Sequence, residues 1–199
     1  MKKIIISIIA GAICFAQLTA QAATHKVVSG DSMWKIAVKY EVGLDEIIAA
    51  NPQVSNPELI YPGQIINIPS VNESVREYEQ QVIDLVNEIR AKNGLNKLTE
   101  DWELSRVARL KSQDMHDNNY FSHTSPIYGS PFDMIKNFGI PYRAAAENIA
   151  KGQKTPQAVV NAWMNSSGHR ANILIVSYNR IGVGYVAEGN YWTQMFIKK

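Results

Sequence analysis

The chain has 199 residues, of which 46% are hydrophobic and 19% are charged. This length allows one ordinary domain or a small module followed by a medium-sized one, and the composition is ordinary for a globular protein. The formal net charge is only +2 at pH 7. Bulk charge therefore does not favour binding to nucleic acid or to an anionic membrane.

The first 22 residues are typical of a secretory signal peptide. Lys2 and Lys3 form a basic start, Ile4 to Phe15 is a short apolar run, and Ala20-Gln21-Ala22 offers the small residues that signal peptidase accepts. A transmembrane anchor is the less favoured alternative, because crossing the bilayer takes about 20 apolar residues. We therefore expect a protein that is secreted after cleavage behind Ala22 and is then free of the membrane.

Cleavage at this point changes both the charge and the cysteine content. It removes two of the 20 basic residues, which leaves 18 basic against 18 acidic ones, and it removes Cys14, the only cysteine. The mature chain then has no disulfide, so its stability has to come from packing.

The segment after the signal peptide has the pattern of a compact β-α-α-β unit. Its predicted elements are a strand at 26–28, a helix that carries apolar residues from 34 to 40, a second helix at 44–51 and an alternating strand at 64–69. Trp34 and Ile36 are expected in the core, whereas Met33, Leu59 and Ile60 lack an obvious place there.

This segment closely resembles a LysM module. The resemblance covers residues 25–69 and includes the GDSMW start, the central Asn51-Pro52 and the closing YPGQIINIP. LysM modules bind the N-acetylglucosamine-containing backbone of peptidoglycan or chitin, so the resemblance implies a glycan groove between two loops. The groove residues that it implies are Gly30, Asp31, Ser32 and Met33 in the first loop and Pro57, Leu59, Ile60 and Tyr61 in the second.

A short polar joint, residues 70–74, separates this module from a larger unit at 75–199. The larger unit has an apolar stripe on a helix that ends at Asn93-Gly94, and further helices are predicted at about 101–118, 130–139 and 155–168. Two alternating strands flank a turn at 188–190. Helices followed by a hairpin predict an α+β domain in which helices cover an antiparallel sheet.

Five motifs in this unit look like the CAP superfamily (cysteine-rich secretory, antigen 5, pathogenesis-related 1), in its bacterial branch. They are FSHTSP, AENIAKG, AWMNSSGHRANIL, RIGVGY and YWTQMF. The resemblance implies an α-β-α sandwich with a central cleft that carries two histidines and two glutamates. His123 matches the first histidine, Glu147 matches the glutamate of the GENIA motif, and His169 matches the second histidine.

The chain departs from that family pattern at three points. Ser166 stands where the second cleft glutamate belongs, on the helix before the GH motif, so one carboxylate is missing. Ala146 replaces the glycine before Glu147, which shifts the local geometry if that position needs a positive φ. The disulfides of the eukaryotic members are absent.

Two imidazoles and a carboxylate leave more than one chemical role open. His123 and His169 are candidate zinc ligands, with Glu147 as general base toward a metal-bound water, which resembles how some CAP members hold zinc. Alternatively, the three side chains form a hydrogen-bonded cluster that only rigidifies the cleft. The sequence contains neither an HExxH helix nor a GxSxG elbow.

The favoured hypothesis from the sequence is a secreted, wall-binding protein. The LysM module attaches it to peptidoglycan or a chitin-like glycan, and the CAP cleft receives a wall, peptide or protein partner without turnover. The alternatives are a metal-dependent hydrolase acting on wall peptides or secreted proteins, and a component of the spore coat or cortex. Lipid or sterol carriage ranks last, because the chain shows no long apolar flap.

Overall fold

The structure is a computed structural model that describes residues 23–70 and 72–199. The predicted signal peptide, residues 1–22, lies outside the described residues. The described part comprises an N-terminal module (residues 23–69) and a C-terminal domain (residues 72–199). Within these ranges, no helix has the length and apolar character needed to cross a membrane.

The N-terminal module has the predicted order of elements. They are β1 (Ala23–Lys26), α1 (Met33–Lys39), α2 (Leu44–Ala49) and β2 (Ile65–Ile68). The two strands pair antiparallel with Lys26 opposite Ile65. The strand β1 begins earlier than predicted, but Val27 continues the pairing, since its N–H donates to the Gln64 carbonyl and its own carbonyl accepts from the Gly63 N–H, both at 2.9 Å.

One face of α1 enters the core of this module. Met33, Ile36 and Ala37 are each no more than 2% exposed, as the three- and four-residue spacing of a helix requires. The prediction that Met33 has no core position is therefore wrong. The prediction of a buried Trp34 is wrong as well, because this residue lies on the opposite face of α1 and is 61% exposed.

The C-terminal domain is an α-β-α sandwich, as the resemblance implied. Its helices are α3 (Glu73–Lys92), α4 (Trp102–Asp117), α5 (Pro131–Asn137), α6 (Pro156–Asn165) and α7 (Ser167–Ile173), and its strands are β3 (Thr99–Glu100), β4 (Ala144–Lys151), β5 (Arg180–Val186) and β6 (Tyr191–Lys198). The strands lie in the order β3-β5-β6-β4, with β3 parallel to β5 and the other pairs antiparallel.

Each face of this sheet has its own hydrophobic core. Side chains of α3, α6 and α7 pack with Trp192 and Phe196 of β6 on one face. Side chains of α4 and α5 pack with Met195 and Ile197 on the other. The alternation along β6 assigns successive residues to opposite cores, which is why the whole strand is buried except for its last residue.

The boundaries differ from the sequence-based expectation at three places. The helix α3 begins at Glu73 with Asn72 as its N-cap, so the polar joint is shorter than 70–74. The helix α6 ends at Asn165, and a new helix, α7, starts at Ser167. The strands β3 and β4 have no clear signal in the sequence pattern, because β3 is only two residues long and β4 begins with three alanines.

Glycines allow α4 to lie directly on β5. A Cβ atom at Gly184 would fall 2.1 Å from the backbone carbonyl carbon of Ala108, and one at Gly182 would fall 2.4 Å from that of Leu104. Such distances are too short for any side chain, so both positions require glycine unless the helix moves. Ser112 completes this contact by donating from its Oγ to the Gly184 carbonyl at 3.0 Å.

Replacing Gly184 by alanine is expected to lower the free energy of unfolding by about 1–3 kcal/mol, because the new methyl group has to push α4 away from β5. Thermal or urea unfolding followed by circular dichroism measures this change. Gly168→Ala is the matched control, since nothing lies within 4 Å of a Cβ there. Equal stability of the two variants would contradict the close approach.

Candidate functional site

In the N-terminal module, the antiparallel pairing of β1 and β2 brings the two candidate groove loops to the same end. The chain leaves β1 toward residues 30–33 and enters β2 from residues 57–61. Each loop is fixed by its own hydrogen bonds. Lys35 Nζ donates to the Gly30 carbonyl at 2.7 Å, and the Tyr61 N–H donates to Gln64 Oε1 at 2.6 Å.

The side chains of these loops differ in their availability. Leu59 and Tyr61 are 52% and 55% exposed, whereas Ile60 packs partly against the core. Pro57 is half-buried, Gly30 is exposed with a φ of +91°, and Ser32 serves as the N-cap of α1 by accepting from the Lys35 N–H. The open end of the module therefore presents two apolar side chains beside a loop of backbone groups.

The side chains of Asp31 and Met33 are engaged in contacts within the module. The Asp31 carboxylate accepts hydrogen bonds from His25 Nε2 at 2.9 Å and from the Val28 N–H at 2.8 Å, and the bond to His25 lowers the pKa of Asp31. Met33 has its side chain in the core. Only their backbone groups and the second Asp31 oxygen are left for a ligand.

In the C-terminal domain, the structure brings His123 and Glu147 together. Glu147 lies on β4, where its carboxylate is buried, and His123 lies in the loop after α4 with its side chain 53% exposed. His123 Nδ1 is 2.7 Å from Glu147 Oε1. The other carboxylate oxygen, Oε2, is buried with no hydrogen-bond partner among the described residues.

His169 is placed beside this pair by two asparagines. The strand β4 is an edge strand, and α7 covers its edge. Asn172 of α7 donates from Nδ2 to the Glu147 carbonyl at 3.3 Å and to Asn148 Oδ1 at 2.9 Å. Asn148 in turn donates to the His169 carbonyl at 3.2 Å. His169 therefore lies in the first turn of α7, rather than just past the end of a helix.

A polar network on α4 holds the loop that carries His123. The sequence pattern did not identify the members of this network. Lys111 is 1% exposed and donates from Nζ to the Tyr120 hydroxyl at 2.9 Å. The Tyr120 hydroxyl also bonds to Asp114. Asp114 accepts from Ser125 Oγ at 2.6 Å, which ties down the loop that carries His123. The sequence feature that could have indicated this network is the presence of a lysine and an aspartate on the apolar face of a helix.

The electrostatic environment shifts the two histidines in opposite directions. The hydrogen bond that His123 donates to Glu147 raises the pKa of His123 above its ordinary 6.5. Burial, followed by the nearby charge of His123, lowers the pKa of His169. His123 is therefore the more readily protonated of the two histidines and His169 the less, which is the division that acid–base chemistry uses.

Two family profiles match the chain. The profile described as cysteine-rich secretory protein family (CAP) matches residues 83–196, and the LysM domain profile matches residues 25–69. The chain belongs to the CAP family. From here on, the N-terminal module is called the LysM domain and the C-terminal domain the CAP domain.

Relatives resemble one or both domains. YkwD of Bacillus subtilis (strain 168) is 61% identical over 130 residues, which cover 65% of this chain and 51% of that protein. An extracellular protein containing a SCP domain from Bacillus anthracis str. Ames superposes with a TM-score of 0.61 at 35% identity, over 69% of this chain and 47% of that one. The chain thus spans about half the length of each.

The LysM domain has relatives of its own. The spore coat assembly protein ExsA of Bacillus cereus is 52% identical over 46 residues, which cover 23% of this chain and 7% of that protein. A LysM domain implies binding to glycans that contain N-acetylglucosamine, such as peptidoglycan or chitin.

Two departures from the CAP pattern have visible consequences. Ser166 is not helical but forms the extended joint between α6 and α7, and its side chain does not cap α7. Ala146 sits in regular pairing opposite Phe196 and is not among the residues with positive φ. The alanine therefore fits the strand without backbone strain.

His123 and His169 are the candidate zinc ligands of the CAP cleft. His123 Nδ1 is bonded to Glu147, which leaves Nε2 available and matches the carboxylate that commonly lies behind a metal-bound histidine. Among residues 23–70 and 72–199, no three His, Cys, Asp or Glu side chains are grouped so that they could hold a metal, whereas a catalytic zinc site uses three protein ligands. Zinc binding by His123 and His169 therefore stays a prediction, with fewer protein ligands than a catalytic zinc site uses.

The two CAP-cleft histidines are expected to titrate on opposite sides of pH 6.5. Glu147→Gln should lower the midpoint of His123, because the charged partner of its imidazolium is lost. An NMR titration of the imidazole protons measures both midpoints, with the exposed Glu88→Gln on α3 as control. A His123 midpoint that does not move in Glu147→Gln would contradict the assigned hydrogen bond.

Proposed function

We propose that this protein is secreted, binds peptidoglycan through its LysM domain, and presents the CAP cleft to a partner in the wall. The observation that carries the proposal is the pair of exposed side chains, Leu59 and Tyr61, beside the backbone of the 30–32 loop. Glycan backbones combine small apolar faces with amide and hydroxyl edges, so this combination suits them.

The environment of the LysM groove supports an uncharged ligand. The carboxylate of Asp31 is held by His25 and the Val28 N–H, and Lys35 is held by the Gly30 carbonyl. Both of these charges in and beside the first loop are thus engaged within the domain, and the exposed carboxylate of Glu58 in the second loop would repel an anionic ligand. A neutral sugar chain meets such a surface without a desolvation cost for a free charge.

A location in the spore coat is a narrower version of the same proposal. It is supported by the similarity of the LysM domain to ExsA, which is named as a spore coat assembly protein. Both the vegetative wall and the spore cortex contain peptidoglycan, so the groove suits either setting.

Leu59→Ser combined with Tyr61→Ala is expected to weaken co-sedimentation with purified peptidoglycan by about tenfold or more in affinity, because both exposed groove contacts are removed. Val176→Ala is the matched control, since it truncates an apolar side chain that is 75% exposed on the CAP domain. Unfolding curves should coincide for all three proteins. Unchanged pelleting of the double variant would reject the groove.

Acid–base catalysis in the CAP cleft is the second candidate. It is favoured by the opposed pKa shifts of His123 and His169 and by the buried Glu147 carboxylate that contacts His123. In this version His169 accepts a proton, His123 donates a hydrogen bond, and wall peptides or secreted proteins are the substrates.

Mass spectrometry of soluble material released from peptidoglycan distinguishes the two candidates. Catalysis predicts fragments that appear with the unmodified protein and disappear with His169→Ala, with no dependence on added zinc. Pelleting without any fragments, by either protein, would reject catalysis on the wall and leave the binding role. His116→Ala serves as control, because His116 lies on α4 and bonds to Asp117 rather than to the cleft.

A further inference from the structure

A narrow cavity at the junction of the two domains has aromatic side chains on both sides. Its volume is about 160 Å³. The LysM side is lined by Trp34 and Leu44, and the CAP side is lined by Trp102 and Phe138. Trp34 is 61% exposed and Leu44 is 38% exposed, so the apolar face of the LysM domain is not sealed against its neighbour.

Arg106 holds the two sides of this cavity at a fixed separation. Its Nε donates to Glu46 of the LysM domain at 2.8 Å, and its guanidinium lies 5.2 Å from the Phe138 ring centroid. It also packs against Gly43 so closely that a Cβ there would fall 2.2 Å from the guanidinium. A second ion pair, between Arg76 and Glu41 at 3.2 Å, joins the domains nearby.

The lining predicts the chemistry of an occupant. Flat aromatic faces pack against the apolar face of a sugar ring, while Arg106 and Glu103 offer hydrogen bonds to hydroxyl and amide groups at the edge. Arg106 is neutralised by Glu46, so the cavity carries no free positive charge that would select an anion. The volume is below the 300–1,000 Å³ usual for a complete small ligand, which suits one ring of an extended chain.

The position of Trp34 links this cavity to the LysM groove. Trp34 is in the first turn of α1, directly after the 30–33 loop that the LysM resemblance assigns to the groove. Trp34 is the one aromatic residue of α1, and it lines the cavity. The cavity therefore begins next to the loop that the resemblance assigns to the groove.

We propose that Trp34, Trp102 and Phe138 form a second glycan contact at the domain junction, which holds a sugar ring of the same uncharged chain that the LysM groove binds. This inference rests on the proposed peptidoglycan binding. It gives the CAP domain a direct part in glycan recognition, away from its histidine cleft, and it makes affinity depend on the length of the glycan.

Calorimetric titration of the full mature chain with N-acetylglucosamine oligomers of increasing length tests this proposal. In the unmodified protein, affinity should continue to rise for oligomers longer than the LysM groove alone can hold. Trp102→Ala and Trp34→Ala should each weaken binding of the long oligomers by about two- to tenfold and leave the shortest bound oligomers unaffected.

Trp102→Phe, which keeps an aromatic face, should retain most of the affinity for long oligomers. Phe121→Ala is the matched control, because Phe121 is 50% exposed on the CAP domain and does not line the cavity. Thermal unfolding of Trp102→Ala checks that the domain is intact, and the Trp34 variant alters only an exposed side chain.

The possible outcomes separate this inference from the proposed function. Binding that is equal in the Trp102 variant and the unmodified protein at every length overturns the junction site and leaves the LysM groove intact. Equal weakening by Trp34→Ala at all lengths overturns it too, because Trp34 then belongs to the groove alone. Absence of binding at any length by the unmodified protein overturns the proposed function itself.

Discussion

The CAP domain depends on the close approach of α4 to β5, which Gly182 and Gly184 permit. Because the helix lies directly on the sheet, Lys111 and Asp114 reach the level of β4 and its buried Glu147. Burying these charges is costly unless they compensate one another. The charge of buried Lys111 is therefore compensated by the carboxylates of Asp114 and Glu147, and Glu147 also bonds to His123.

The edge strand β4 carries the two residues, Glu147 and Asn148, that hold the candidate site together. Glu147 points toward the α4 side, whereas Asn148 points to the opposite side and bonds to Gln194 and to α7. Two successive residues of one strand thus hold both histidines, because Glu147 bonds to the His123 ring and Asn148 bonds to the His169 carbonyl. The amides cover the exposed strand edge, and the carboxylate determines the charge of the cleft.

Much of this arrangement could be predicted from the sequence, and the failures have physical causes. The motifs around His123 and Glu147 pointed to two side chains that the structure brings into contact, and the helical and alternating patterns located most elements. The patterns did not reveal that Lys111 and Asp114 are buried together, because their compensation depends on a contact between distant segments. Trp34 was expected inside because of its type, yet its position on α1 points it outward.

The central claim is that the LysM domain provides the glycan-binding surface of this protein. The most direct test is an amide NMR spectrum of the isotope-labelled mature chain during titration with a soluble N-acetylglucosamine oligomer. We expect saturable shift changes at residues 30–32 and 58–61, continuing to Trp34, with the amides of His123 and His169 unmoved. Shift changes centred on the histidine cleft, with none at the LysM loops, would contradict it.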